Sequence, residues 1–199
     1  MMLRLAVLVL FPTTLVAQGE PLSIRSKGSE KAPVVVYEMS DFQCPYCRQH
    51  ANQTFPTLER EYITTGKVRW IYINFPLPIH KNAPPAAEFA MCAARQGKFW
   101  PAHDLLFRHQ DAWSDLPNPA SFFLGLGDSV RANRTLLRTC LTNGETREAI
   151  HDDAAGAMRS GANSTPTFYI EGGMLTGAYP PDVWRPILDS VLRAKRAKP

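Results

Sequence analysis

Two kinds of hydrophobic pattern divide the chain. Val34-Val35-Val36-Tyr37 is an unbroken β-branched and aromatic run, apolar on both faces, which predicts a buried central strand. After a turn-like Ser40-Asp41-Phe42-Gln43, Pro45 suits the first turn of a helix, where its missing N–H is not needed. That helix is expected to run toward Thr64, kinked at Pro56 and ended by Gly66. Val68-Arg69-Trp70-Ile71-Tyr72-Ile73 alternates as a second strand. From there to about Gly161 the pattern turns helical. Ala86, Ala87, Phe89, Ala90, Met91 and Ala93 mark one helix, and others are expected at Phe99–His109, Arg134–Leu141 and Glu145–Arg159. Pro117, Pro119, Gly125 and Gly127 read as breakers between them. Strand character returns at Thr167–Ile170 and Met174–Thr176 around a Gly172-Gly173 turn, which predicts a hairpin. Asp182 reads as the N-cap of a last amphipathic helix through Val183, Ile187, Leu188 and Val191. No internal repeat is present. Strand–helix–strand, a helical block, then hairpin and helix amount to an α/β fold with an inserted helical cap.

The N-terminus changes the picture. Arg4, the apolar run Leu5–Phe11 and the small residue Ala17 follow the order of a secretory signal. The run is shorter than the roughly 20 residues a membrane span needs. Residues 1–17 are therefore expected to be a cleaved signal peptide, and the Gly-, Ser- and Pro-containing residues 18–32 a flexible leader. Of 199 residues, 45% are hydrophobic and 20% charged, an ordinary globular balance. The net charge of +4 includes Arg193, Lys195, Arg196 and Lys198, read as a solvated tail; no nucleic-acid motif accompanies them.

The chemistry lies in four cysteines, Cys44, Cys47, Cys92 and Cys140. An even count in an exported chain is compatible with disulfides. Only a thiolate attacks a disulfide, so a reactive cysteine needs a lowered pKa. Cys44, at the start of a helix, faces unsatisfied N–H groups and the positive end of the macrodipole. Cys47 is one turn on, placed to resolve a mixed disulfide formed at Cys44. Two other readings are open: half of a four-thiolate zinc site, or a structural short-loop bridge. The strand–CxxC–helix context and the scattered remaining cysteines favour redox chemistry, with no metal or cofactor.

The segment Glu38-Met39-Ser40-Asp41-Phe42-Gln43-Cys44-Pro45-Tyr46-Cys47 resembles the active-site region of the DsbA-like branch of the thioredoxin superfamily. So do Phe75-Pro76-Leu77, Gln96–Trp100 with His103–Phe107, and Gly161–Ile170 with its Thr165-Pro166-Thr167. The resemblance spans roughly residues 32–192 and is carried by the CPYC together with the distant Thr-Pro. It implies a thioredoxin-like fold over residues 33–76 and 162–196, with residues 77–161 as a helical insertion. It further implies a cis Thr165–Pro166 bond beside the cysteines, whose Thr165 backbone pairs with a substrate peptide; the alternative is an ordinary trans proline. Glu38 matches the family's buried acid, which moves protons to or from the resolving cysteine; otherwise it is a surface carboxylate. Cys92 and Cys140 resemble the second bridge of several members; the alternative is two buried thiols.

Tyr46 departs from the most oxidising members, whose CxxC interior carries a histidine. It leaves the direction of electron flow open. The expected function is an exported, monomeric oxidase that introduces disulfides into cysteine-containing proteins and is reoxidised by a membrane partner. A reductase or isomerase would use the same residues, and a peptide-binding or chaperone-like module would use the cysteines only structurally. Four histidines, His80, His103, His109 and His151, have no clear metal-binding spacing, and Asp152-Asp153 read as a solvated face.

Overall fold

The computed structural model describes residues 20–197, so the signal-peptide reading of residues 1–17 lies outside the described residues. Five strands form one sheet in the order β1-β3-β2-β4-β5. They are β1 (Ser26–Lys27), β2 (Val34–Ser40), β3 (Val68–Asn74), β4 (Thr167–Ile170) and β5 (Gly173–Thr176). The centre, β2, pairs parallel with β3 and antiparallel with β4. A parallel pair needs a crossover, and the helical run after Cys44 supplies it. The fold is α/β and thioredoxin-like, with a helical block between β3 and β4.

The crossover is α1 (Pro45–Gln49), a π turn His50–Thr54, α2 (Phe55–Leu58) and a second π turn Glu59–Ile63. Pro56 therefore sits in the first turn of a new α segment rather than in a helix interior. The widened turn before it, closed by Phe55 N–H to the His50 carbonyl, absorbs the hydrogen bond that proline cannot make.

The block comprises α3 (Ala83–Ala94), α4 (Phe99–Arg108), α5 (Gln110–Trp113), α6 (Ala120–Ser129), α7 (Arg134–Asn143) and α8 (Arg147–Arg159). Helix α6 corrects the reading of Gly125 and Gly127 as breakers. A Cβ on Gly127 would stand 2.3 Å from Leu137 Cδ2, so this glycine lets α6 approach α7 closely. The disulfide Cys92–Cys140 ties α3 to α7. The hairpin turn is Glu171-Gly172, one residue earlier than expected, and both residues have the positive φ that a type I′ turn requires. The last helix, α9 (Pro181–Arg196), starts at Pro181; Asp182 lies in its first turn and does not cap it.

The leader is also corrected. Residues 22–25 form a 3-10 turn and β1 pairs with β3. Arg25 anchors it: 2% exposed, it donates to Asp153 Oδ1 at 2.6 Å. Asp153 is thus an internal partner, also accepting from Asn74 Nδ2 at 2.8 Å, and not part of a solvated face. Among the described residues no helix is long and apolar enough to cross a membrane.

Three apolar clusters hold these parts together. One sheet face packs Val36, Trp70 and Phe168 against Phe55 and Leu58 of α2 and Trp184 and Leu188 of α9. The other face places Met39, Phe75 and Ala162 against Ala157 of α8. The third cluster is the interior of the helical block, and it includes Phe42, Cys44, Cys47 and Tyr72. The CxxC therefore sits at the seam between sheet and block.

Candidate active site

Cys44 caps the crossover helix with extended backbone (φ −71°, ψ 125°), and Pro45 is the first helical residue. The helical block grips the loop that leads into this cap. Gln110, buried on α5, donates to the carbonyls of Phe42 at 2.7 Å and Cys44 at 3.0 Å. Gln43 donates to the Ser114 carbonyl at 3.0 Å and accepts from Asn82 N–H at 2.6 Å. Asn82 in turn donates to the carbonyls of Trp113, Ser114 and Leu116. Buried carbonyls in irregular backbone need such partners, so these amides fix the loop conformation.

Cys44 and Cys47 are both free thiols and both buried. Their environments push them apart. The hydrogen bond from Cys47 brings the Cys44 pKa down to about 6; burial opposes this, and Thr165 and the N–H groups of Cys47 and Tyr46 add to it. The Cys44 thiol itself donates to the Thr165 carbonyl at 3.4 Å, a bond that favours the protonated form. The Thr165 hydroxyl is buried and has no hydrogen-bond partner. Cys47 is raised well above the usual thiol value by burial and then by its neighbour Cys44. Asp41 N–H donates to Cys47 Sγ at 3.5 Å. The two thiols are thus set in opposite directions, Cys44 toward the thiolate and Cys47 toward the thiol.

Thr165–Pro166 is a cis peptide bond, and Gly177 N–H ties the Pro166 carbonyl to the end of the hairpin at 2.8 Å. Tyr46 is 62% exposed, on the outer face of the CxxC turn. Glu38 lies inside β2, which extends through Ser40, where it pairs with Tyr72 on β3 and Phe168 on β4. It is 1% exposed. Trp70 Nε1 donates to Glu38 Oε2 at 2.7 Å. Burial raises the Glu38 pKa, against the opposing pull of His103, Trp70 and Ser40. Ser40 opposes the upward shift of both Glu38 and Cys47.

The structure therefore brings Glu38, Cys44, Pro45, Cys47, Thr165 and Pro166 to one place, with Tyr46 on its rim. Cys92 and Cys140 stand apart in the block. Because they are joined to each other, a four-thiolate zinc arrangement is not formed. Sequence reasoning missed Asp41 and Gln110. The Asp41 carboxylate is buried and accepts from Gln43 N–H, Leu77 N–H and His80 Nδ1, all at 2.7–2.8 Å. Its place three residues before Cys44 was the available signal. Gln110 had none, because its role depends on the fold of α5.

Comparison with known proteins agrees with this geometry. A family model described as Thioredoxin matches residues 23–190. The chain is 32% identical over 174 residues to the Na(+)/H(+) antiporter NhaA 3 of Salinispora tropica, covering 87% of this chain and 25% of that protein. It thus spans about a quarter of the length of that relative. It is 29% identical to the probable disulfide bond formation protein D of Bacillus anthracis, covering 75% of this chain and 70% of that one. Among solved structures, Wolbachia pipientis alpha-DsbA1 superposes with a TM-score of 0.78 at 20% identity, over 87% of this chain and 93% of the other. With a strand–CxxC–helix seam, a cis-proline turn beside it and a family model over most of its length, the chain belongs to the thioredoxin family and has the DsbA-like form of its fold.

Proposed function

We propose that this chain is an exported, monomeric thiol–disulfide oxidoreductase that donates the Cys44–Cys47 disulfide to cysteine-containing proteins. One arrangement carries the reading: Cys44 stands at the helix N-terminus beside the cis-proline turn, with its pKa brought down to about 6, while burial keeps Cys47 beside it protonated. A stabilised thiolate belongs to the reduced form only. It therefore makes the disulfide a stronger oxidant. Tyr46 does not weaken this argument, because the Cys44 partners are Cys47, Thr165 and backbone N–H groups.

In the oxidising direction a substrate thiolate attacks Cys44 Sγ of the disulfide. The Cys44–Cys47 bond breaks and Cys47 leaves as a thiolate, taking a proton from Glu38. A second substrate thiolate then attacks the mixed disulfide, forms the substrate disulfide and releases Cys44 as its stabilised thiolate. Two electrons have passed from substrate to enzyme. Reoxidation by a membrane partner returns them to the electron-transport side, and Cys47 gives its proton back to Glu38. In this reading the Thr165 backbone, whose carbonyl lies 3.4 Å from Cys44 Sγ, pairs with a substrate strand.

The reduction potential of the Cys44–Cys47 couple, from equilibration with glutathione, tests the reading. A value clearly more oxidising than the roughly −270 mV of a reducing thioredoxin is expected, with catalysed refolding of a reduced multi-disulfide protein. A value near the roughly −270 mV of a reducing thioredoxin, with insulin reduction and no refolding activity, would replace the oxidase by a reductase.

A further inference from the structure

Strand β2 ends at Ser40, and the chain must turn into the CxxC helix within the next few residues. Asp41 makes that turn. Its Oδ1 accepts from Gln43 N–H at 2.7 Å, and its carbonyl accepts from Cys44 N–H at 3.1 Å. Aspartate suits such a turn, because its short carboxyl reaches the N–H two residues on. Asparagine or serine would suit it too, without burying an acid. The Asp41 side chain is 0% exposed, so the acid asks for a further reason.

Its second oxygen reaches another part of the chain. Oδ2 accepts from Leu77 N–H at 2.8 Å and meets His80 Nδ1 at 2.7 Å. Leu77 and His80 are the two ends of one turn, closed by His80 N–H to the Leu77 carbonyl at 2.9 Å. The loop that follows β3 is therefore pinned at both ends to Asp41. The Ser40–Asp41 peptide plane is held as well, since the Ser40 carbonyl accepts from Phe75 N–H at 2.8 Å. With that carbonyl and the Asp41 side chain both fixed, the Asp41 N–H is aimed, and it donates to Cys47 Sγ at 3.5 Å. Cys47 is 0% exposed, so solvent does not stabilise charge on its sulfur.

We propose that the Asp41 backbone N–H is the hydrogen-bond donor to the Cys47 thiolate during thiol–disulfide exchange, and that the Asp41 carboxyl, locked to Leu77 and His80, is what positions it. This deepens the proposed function. It rests on exchange at Cys44 and Cys47 and not on the direction of electron flow. On opening, an incoming thiolate bonds to Cys44 Sγ, the Cys44–Cys47 bond breaks, and its electron pair stays on Cys47 Sγ, facing the N–H. On closing, the Cys47 thiolate attacks Cys44 Sγ of a mixed disulfide and the outgoing thiolate leaves with the electron pair. The N–H keeps its proton throughout. A bond that is weak to a thiol becomes charge-assisted, and stronger, when the sulfur is a thiolate.

The size of the effect follows from the chemistry of thiols. If the bond shifts Cys47 by one pKa unit, its loss leaves about tenfold less thiolate. Each remaining thiolate is about threefold more nucleophilic, so closing slows roughly threefold. Opening slows by the same factor, because the charged sulfur lies between two uncharged states, the disulfide and the protonated thiol.

Two changes separate the donor from its lock. Malic acid in place of Asp41, introduced by semisynthesis, turns the Ser40–Asp41 amide into an ester; it removes the N–H and keeps the carboxyl. Asp41→Asn keeps the N–H and the Gln43 turn but loosens the grip on Leu77 and His80. Reduced protein is mixed with oxidised glutathione, acid-quenched at intervals, and the Cys44–glutathione intermediate followed by mass. In both variants the attack by Cys44 is expected at the wild-type rate, while closing by Cys47 slows about threefold. Opening of the oxidised protein by reduced glutathione slows equally, and the equilibrium constant with glutathione stays where it was. The sign in Asp41→Asn is telling, because losing the carboxyl's negative charge alone would ease ionisation of Cys47 and speed closing. Closing at the wild-type rate in the ester would overturn the donor, and faster closing in Asp41→Asn would overturn the lock. Equal slowing of the Cys44 and Cys47 steps, with a changed equilibrium constant, would mean that Asp41 only supports the turn, and would overturn the proposal. A wild-type protein that forms no mixed disulfide at Cys44 would remove the proposed function, and this inference with it.

Discussion

The molecule has two pairs of cysteines in two kinds of surroundings. Cys44 and Cys47 lie three residues apart on one helical turn, at the seam between sheet and helical block, and both are thiols. Cys92 and Cys140 lie 48 residues apart on two packed helices, and they are joined. Burial does not distinguish the pairs, since all four residues are buried. What differs is the polar partnership. Cys44 meets a neighbouring thiol, the Thr165 backbone and helix N–H groups, whereas Cys92 has only the Thr146 hydroxyl at 4.0 Å. A cysteine becomes reactive through donors to its thiolate, and a bridge becomes structural through the length of chain it closes.

The sharpest way to break this contrast is to remove each pair in turn. Cys44→Ser is expected to abolish disulfide exchange in a refolding assay while leaving the thermal midpoint nearly unchanged. Cys47→Ser should instead trap substrates as mixed disulfides visible on non-reducing gels. The double change Cys92→Ala/Cys140→Ala should do the opposite: exchange retained, stability to urea lower by about 4 kcal/mol from a closed loop of this length. If that variant lost its exchange activity while still folded, the bridge would belong to the site.

How much of this was legible in the sequence follows the same division. The CxxC, its strand and its helix could be read because local pattern carries them: a β-branched run, a turn, and proline at the first helical position. Cys92 and Cys140 could be paired only by resemblance, because a spacing of 48 residues says nothing about which helix faces which. Gly127 was misread for a related reason. A glycine that breaks a helix and one that lets two helices touch look alike until Leu137 is placed against it. Asp153 was taken as solvated because its partner Arg25 is 128 residues away, in a stretch read as a flexible leader.

Acid should sharpen the contrast further. His50 is on the helix of the reactive pair, stacked on Trp70 with both nitrogens unpartnered and its pKa pushed by burial down to about 3. The unfolded chain takes up this proton near the ordinary value of 6.5, and the folded one only near 3. Between those values the unfolded state binds more protons, so stability falls as pH falls. At pH 5 the loss relative to pH 8 is about 2 kcal/mol. His50→Leu should remove most of that acid sensitivity in urea titrations. An acid limb equally steep in His50→Leu would place its origin in other groups.

The finest test concerns the residue that joins the two regions. Gln110 comes from the disulfide-bearing helical block and ends on the carbonyls of Phe42 and Cys44. It holds the cap in place, and by donating to a carbonyl next to the sulfur it reduces the negative potential that a thiolate feels. Gln110→Leu is close in size but cannot donate. It leaves the Phe42 carbonyl without this partner and the Cys44 carbonyl with only Arg48 N–H. Stability should fall by about 1–3 kcal/mol for the unmet buried carbonyl. The Cys44 thiolate, followed by its ultraviolet absorbance, should then titrate above the value of about 6, and alkylation at pH 6 should slow in proportion. Removing the Cys92–Cys140 bridge should leave that midpoint where it is. A Gln110→Leu protein that loses stability with its thiolate midpoint unmoved would show that the block only supports the loop. A moved midpoint would show that the block also tunes the sulfur, and that the two regions are chemically one site.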